Sequence, residues 1–369
     1  MKRLSLACAM ALAVVLAPAM AGEAPPMRDI TSLALSGDMS PGWNLGNALE
    51  ALPEETSWGN PPASRKLLDA VRAAGFKTVR IPVSWTAHAD RHFTIRRAWM
   101  KRVTEVVDDA LKAGLYVVIN VHWDGGWLQP THARQADANA HLARLWTQIA
   151  DNFRDYDDHL LFAGTNEVMV TDDYAPPTDE YAEVQNGFNQ VFVDTVRASG
   201  GNNARRHLVV QGYNTNIDHT LKRFRLPVDT TADRLMVEVH DYDPYNFTLN
   251  EKSGIWQWGS IATDPAAVEA WANEAHVDAQ FQAMKAQFID KGIPVLLGEY
   301  AATPRVDHKE SLRYVAYWDY YMTRSARRHG LVPVFWDSGA LVHGSALFDR
   351  KTGKPYLPEL VDLIIQAGQ

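Results

Sequence analysis

The chain has 369 residues, 46% of them hydrophobic and 22% charged, which is the composition of an ordinary globular protein and excludes disordered and fibrous classes. Its 36 Lys and Arg against 44 Asp and Glu give a net charge of −8, and no stretch of sequence gathers the basic residues into a patch that could neutralise a phosphate backbone. Nucleic acid is therefore not an expected partner. Twelve Trp stand out, because every buried indole brings an N–H that needs an acceptor.

The chain begins with a segment that reads as an export leader. Lys2 and Arg3 precede an apolar run over residues 4–16, and Ala19-Met20-Ala21 follows as a cleavage site. Cleavage near Ala21 would remove residues 1–21, including Cys8, the only cysteine, and leave 22–369 as the mature chain with a net charge of −10 and neither thiols nor disulfides. No later segment approaches the roughly 20 apolar residues of a membrane helix. A secreted protein, extracellular or periplasmic and without a membrane association, is the expectation.

Beyond the leader, short β-branched runs alternate with longer amphipathic stretches. The runs fall at 42–47, 78–83, 116–123, 160–167, 207–214, 235–242, 294–300 and 332–339. Helical patterns lie between them at 63–74, 95–113, 142–153, 178–198, 268–289 and 309–329, several followed by a Gly suited to a helix C-terminus, such as Gly75, Gly114 and Gly292. Eight strand and helix units without a dividing linker predict an α/β protein, a single-domain (β/α)8 TIM barrel. A doubly wound sheet is the alternative, but no G-x-G-x-x-G or P-loop is present.

The polar residues are not scattered along these runs. Arg80, His122, Glu167, Asn214, His240, Glu299 and Trp336 each fall at or near a C-terminal end, with Trp43 and Asn44 in the first run. In a barrel those ends share one face, where active sites are built. Glu167 and Glu299 end strands four and seven, and a pair of carboxylates across a pocket is what glycoside hydrolysis requires. Arg80 could hold one of them ionised, or pair with Glu238 inside the barrel. Glu238, His240 and Tyr242 share a strand face. Asn166 and Glu167 are consecutive, so both reach a pocket only where the strand is bulged or ending. A metal is not expected, since H-E-x-x-H is missing, and neither is a serine hydrolase, since G-x-S-x-G is missing. No cofactor is implied. Asn246-Phe247-Thr248 matches a glycosylation acceptor, a triplet common by chance.

Gly42-Trp43-Asn44-Leu45-Gly46-Asn47, Trp58-Gly59-Asn60-Pro61, the segment from Phe76 to Trp85 around Arg80, Asn166-Glu167 and Gly298-Glu299 together resemble glycoside hydrolase family five. The resemblance runs from about Trp43 to Trp336 and implies a (β/α)8 barrel that hydrolyses β-linked glucans with retention of configuration. It implies Glu167 as acid/base, kept protonated by nearby negative charge, and Glu299 as nucleophile. Arg80 and Tyr242 match contacts to the nucleophile, and His240 matches the neighbour of the acid/base. His122 and Asn166 match contacts to sugar hydroxyls, and Trp336 a platform under the sugar. Many relatives carry a second His where this chain has Trp123, which suggests stacking there.

Trp43, Trp58, Trp85, Trp127, Trp256 and Trp258 are further candidate walls or platforms, with the 243–263 loop as a cleft wall or, alternatively, a hydrophobic plug. Trp99, Trp146, Trp271 and Trp318 read as helix packing. The expectation is a retaining endo-β-1,4-glucanase, a monomer acting on a β-glucan polysaccharide that is soluble or amorphous, mixed-linkage glucan and xyloglucan included. A β-mannanase, or a barrel that binds carbohydrate without cleaving it, are the alternatives.

Overall fold

The computed structural model describes residues 27–369, so the expected leader lies outside the described residues. The chain runs α1 (Ser32–Ser36), β1 (Gly42–Leu45), α2 (Arg65–Ala74), β2 (Thr78–Ile81), α3 (Arg97–Lys112), β3 (Tyr116–Asn120), α4 (His132–Asn152), β4 (Leu160–Ala163) and α5 (Asp179–Ala198). It continues through β5 (Leu208–Asn216), α6 (Ile217–Arg223), β6 (Leu235–His240), α7 (Tyr245–Thr248), α8 (Glu274–Gln287), β7 (Val295–Glu299), α9 (Ser311–Arg328) and β8 (Val332–Asp337). A short hairpin, β9 (Phe348–Asp349) with β10 (Lys354–Pro355), and α10 (Pro358–Ala367) complete it. β1 to β8 pair in sequence order, and β1 pairs parallel to β8, closing the expected single-domain barrel. No helix of the described residues is long and apolar enough to cross a membrane.

Local chemistry sets the helix ends. Ser64 and Thr178 accept from the N–H of Leu67 and Tyr181 at the starts of α2 and α5, and Gly75 takes a left-handed φ of +120° after α2. α4 begins ten residues before the sequence expectation, because its first turns bury only Ala138 and His141 and carry little apolar periodicity. α6 and α10 were not anticipated; α10 buries Leu360, Val361, Ile364 and Ile365.

Alternation along each strand sorts the side chains into two cores. Outward residues such as Trp43, Val79, Val117, Ile119 and Phe335 pack with the helices. Inward residues Val118, Leu161, Val209, Met236, Leu296 and Val332 fill the lower barrel, closed from below by Leu35 and Met39. Above them the inward residues become polar: Asn44, Arg80, Asn120, Gln211 and Glu238 are all fully buried. This polar layer is the floor of the upper face. Gly298 lies at its level on β7, where a Cβ would collide with the carboxylate of Glu238.

Gly298→Ala should therefore push Glu238 from its place and lower stability by about 1–3 kcal/mol, the usual cost of overpacking, read as a lower urea midpoint. An unchanged midpoint would mean that the polar layer can shift to admit a methyl group.

Candidate active site

The site is built on the polar layer, with Arg80 at its centre. The guanidinium is fully buried. Its Nε lies 2.7 Å from Glu238 Oε1, its Nη1 donates to Glu299 Oε1 at 2.8 Å and to Asn44 Oδ1 at 3.1 Å, and its Nη2 donates to Asn166 Oδ1 at 2.6 Å. Burial works against its charge, but Glu238, Glu299 and Glu167 more than offset this and hold it cationic. The sequence offered Glu238 or a catalytic carboxylate as the partner of Arg80; the structure gives it both.

Glu299 closes the next contacts. Its Oε2 accepts from the Tyr242 hydroxyl at 3.0 Å. β6 and β7 shift register between Val239 and His240, so that His240 pairs with Glu299 and the last residue of β7 turns into the pocket. Burial raises Glu299 above the ordinary carboxylate range, while His240 and Arg80 pull it back. Burial, reinforced by Glu299 and Glu167, raises the Tyr242 hydroxyl far above its usual value, so it remains a donor.

Glu167 reaches the pocket by leaving the strand. β4 ends at Ala163, and Glu167 adopts a left-handed φ of +46°. That turn resolves the parity conflict with Asn166, since both side chains line one pocket of about 290 Å³ together with Trp123, Met169 and Tyr174. Asn166 Oδ1 is taken up by Arg80, leaving its Nδ2 free to donate. Glu167 Oε1 is 2.8 Å from His240 Nδ1, and His240 Nε2 is 3.2 Å from Glu238 Oε1. Burial opposes charging of His240, yet Glu299, Glu167 and Glu238 around it push its pKa up to about 9. One oxygen of Glu167, one oxygen of Glu299 and one ring nitrogen of His240 all lie within 4.8 Å of one another. Such a triad could hold a cation, but Arg80 and Tyr242 already engage both oxygens of Glu299, and Glu167 and Glu238 engage both nitrogens of His240.

His122 and Trp336 form the opposite side. Asn120 Nδ2 donates to His122 Nδ1 at 3.1 Å, and burial, with Arg80 and His240 nearby, keeps this imidazole neutral. Its ring lies parallel to the half-buried Trp336 at 6.2 Å between centroids. Asn44 supports the floor, donating to the carbonyl of Gly298 at 2.8 Å.

Several indole expectations need correction. Trp43 points out of the barrel, fully buried against Phe348, with its N–H on Asp337 Oδ2 at 2.9 Å, so no sugar can reach it. Trp85 and Trp258 are likewise buried, donating to the carbonyls of Asn120 and Ala272. Phe247 and Trp258 in the 243–263 loop are both buried, as a plug packed on the barrel requires. Trp256 is half-buried and stacks on His308 at 4.2 Å. Trp127 is also half-buried and stacks on His141 at 3.7 Å. Trp271 was read as helix packing but lies ahead of α8 and is 55% exposed. Trp123, 53% exposed, and Trp58, 49% exposed, keep open faces. Asn214 has a φ of +51° and donates its backbone N–H to Val168, and its side chain makes no hydrogen bond among the described residues. Tyr174 was missed; an aromatic before a Pro-Pro loop just after strand four was the available signal.

Glu238→Ala should cost about 3–5 kcal/mol at neutral pH, because Arg80, His240 and Gln211 all lose an acceptor inside the barrel. Burial raises Glu238, but Arg80 and His240 outweigh it and hold the carboxyl at about 2. A depressed carboxyl stabilises the fold above its ordinary value of 4.5 and loses that contribution as pH falls through about 2. Urea denaturation of both proteins should thus show a constant gap above about pH 5 that closes in acid.

Comparison with known proteins agrees with this geometry. The model of the cellulase family, glycosyl hydrolase family 5, matches residues 46–341. A xyloglucan-specific endo-β-1,4-glucanase of Bacteroides ovatus is 43% identical over 89% of this chain and 69% of its own length. Endoglucanase A of Paenibacillus barcinonensis is 38% identical over 94% of this chain and 92% of its own. Among solved structures, a Bacteroides ovatus GH5 xyloglucanase in complex with a XXXG heptasaccharide superposes with a TM-score of 0.89 at 41% identity, covering 94% of this chain and 79% of that one. A GH5-4 broad specificity endoglucanase from Bacteroides salanitronis gives a TM-score of 0.85 at 39% identity, covering 92% and 95%.

Proposed function

The chain belongs to glycosyl hydrolase family 5, and we propose that it is a retaining endo-β-1,4-glucanase whose acid/base is Glu167 and whose nucleophile is Glu299. The observation that carries this reading is the approach of the two carboxylates around His240, with donor atoms within 4.8 Å. A separation of about 5–5.5 Å suits direct attack on the sugar, whereas inversion needs roughly 6.5–9.5 Å to admit a water.

The charges fit the division of labour. Arg80 and His240 face Glu299 as cations, and Glu167, as the acid, enters the reaction with a proton. Glu167 gives that proton to the glycosidic oxygen while Glu299 attacks the anomeric carbon, forming a glycosyl ester and releasing the alcohol. Glu167, now a base, takes a proton from the incoming water, which attacks the anomeric carbon and frees Glu299 with the configuration retained. Arg80 and Tyr242 donate to Glu299 throughout and fix its carboxylate plane. Trp336 and neutral His122 bind the sugar beside it, and the free amide of Asn166 meets a hydroxyl.

The substrate is a neutral β-1,4-glucan, soluble or amorphous. Xyloglucan is included on the strength of the similarity to a Bacteroides ovatus xyloglucanase in both sequence and structure. The intact set of contacts speaks against a barrel that only binds. The mature domain spans 22–369, exported by the leader of residues 1–21, and acts as a monomer.

Glu299→Gln should abolish turnover and Glu167→Gln lower kcat by about 10²–10⁴-fold, with unfolding midpoints close to wild type. Substantial turnover by Glu299→Gln would reject the nucleophile assignment. The pH profile offers a separate check. The nucleophile must be ionised and burial raises its pKa, so the acid limb of kcat/KM should lie above 4.5, the ordinary glutamate value.

A further inference from the structure

Beside the cleft lies a second, wider pocket of about 880 Å³ between the loop after β2, the loop after β3 and the first turns of α4. Arg91, Arg134 and Arg144 line it, together with His92 and a single carboxylate, Asp137. None of the three guanidiniums has a carboxylate within ion-pair distance among the described residues. Arg91 donates to His92 at 3.0 Å and Arg144 to Thr94 at 3.4 Å, neither of them a carboxylate. Three cations against one carboxylate give this pocket a positive lining in a chain of net charge −8. Arg91 stands more than 40 positions before Arg134, and Arg134 and Arg144 are ten apart, so no basic stretch shows in the sequence.

The wall of this pocket is aromatic and rigid. The His141 ring is sandwiched between Phe93 at 3.5 Å and Trp127 at 3.7 Å, and Thr86 holds its Nε2 at 3.1 Å. Burial drops His141 to about 4, so it joins the stack uncharged near neutral pH. Trp127 is fixed further by its N–H to Asp124 Oδ2 at 3.3 Å. Gly126 and Leu128 line the pocket of Glu167 while Trp127 lines this one, so a single turn of chain separates the two.

We propose that this pocket binds a uronic acid unit, its carboxylate drawn into the positive lining that Arg91, Arg134 and Arg144 provide and its pyranose ring against the edges of Phe93 and Trp127. Guanidinium forks match a carboxylate in a way that a neutral sugar cannot use, and apolar edges beside them serve a ring that a free inorganic anion lacks. The assignment rests on the reading of the chain as a glycanase, since a glycan held in the cleft brings acidic neighbours or branches within reach. The pocket then selects the carboxylated surroundings of the neutral chain being cut.

The experiment is calorimetric titration of the intact protein with trigalacturonate, beside an Arg91→Ala, Arg134→Ala, Arg144→Ala triple variant and an arm with inorganic phosphate. The wild type should bind trigalacturonate saturably, more weakly as salt rises, and the triple variant at least about tenfold more weakly. Hydrolysis of a neutral β-glucan should be the same for both proteins. Equal trigalacturonate binding by the two proteins, no saturable binding by the wild type, or displacement by phosphate at equal affinity would overturn the proposal. Failure of both proteins to cleave any neutral β-glucan would instead sink the glycanase reading, because the titration does not depend on turnover.

Discussion

Burying a guanidinium inside a barrel is costly unless its charge is answered at close range, and the upper half of this structure is arranged around meeting that condition for Arg80. Three of its nitrogens reach two carboxylates and two amides drawn from β1, β6, β7 and the end of β4. Each of those partners is in turn fixed by the need to answer the cation. Asn44 turns its amide to the carbonyls of β7 and β8, Asn166 gives up its oxygen, and Glu238 is kept charged. The geometry that suits the chemistry is thus also the geometry that makes the burial tolerable. Stability and activity draw on the same contacts.

Proton placement follows from the same cluster. Buried charges settle toward neutrality, since an uncompensated one is expensive in a low dielectric. Two fixed anions and the Arg80 cation leave one positive charge to be supplied, and His240 supplies it. Glu167 is the member closest to solvent, with its side chain 39% exposed. The tyrosine on Glu299 stays a donor and His122 stays neutral, so neither adds a charge to the cluster.

Much of this was legible in the sequence, and the limits have physical causes. Strand ends were readable because a closed barrel sends all of them to one face, so Arg80, His122, His240 and Glu299 could be grouped without knowing their distances. The positions of Asn166 and Glu167 were readable only as a conflict of parity, which the left-handed turn at Glu167 resolves. The indoles were not separable. Trp43 and Trp336 both lie on strands near the same face, but they fall on opposite sides of the pleat, and only packing shows which side meets the helices. The basic pocket was invisible for a related reason: Arg91 meets Arg134 and Arg144 only where the loop after β2 folds against α4, a helix whose first turns lack an apolar stripe.

The excess of indoles has its own explanation. Trp85 and Trp99 on the β2 side, Trp146 on α4, Trp318 on α9 and Trp43 on β1 donate their N–H groups to Asn120, Ser84, Gly164, Asp243 and Asp337, all at or just past the C-terminal ends of strands. These bonds rivet the rim of the barrel to its outer shell. Heat inactivation then has no partial route in which the rim melts while the shell survives, and loss of turnover and loss of the fold become one event seen by two instruments.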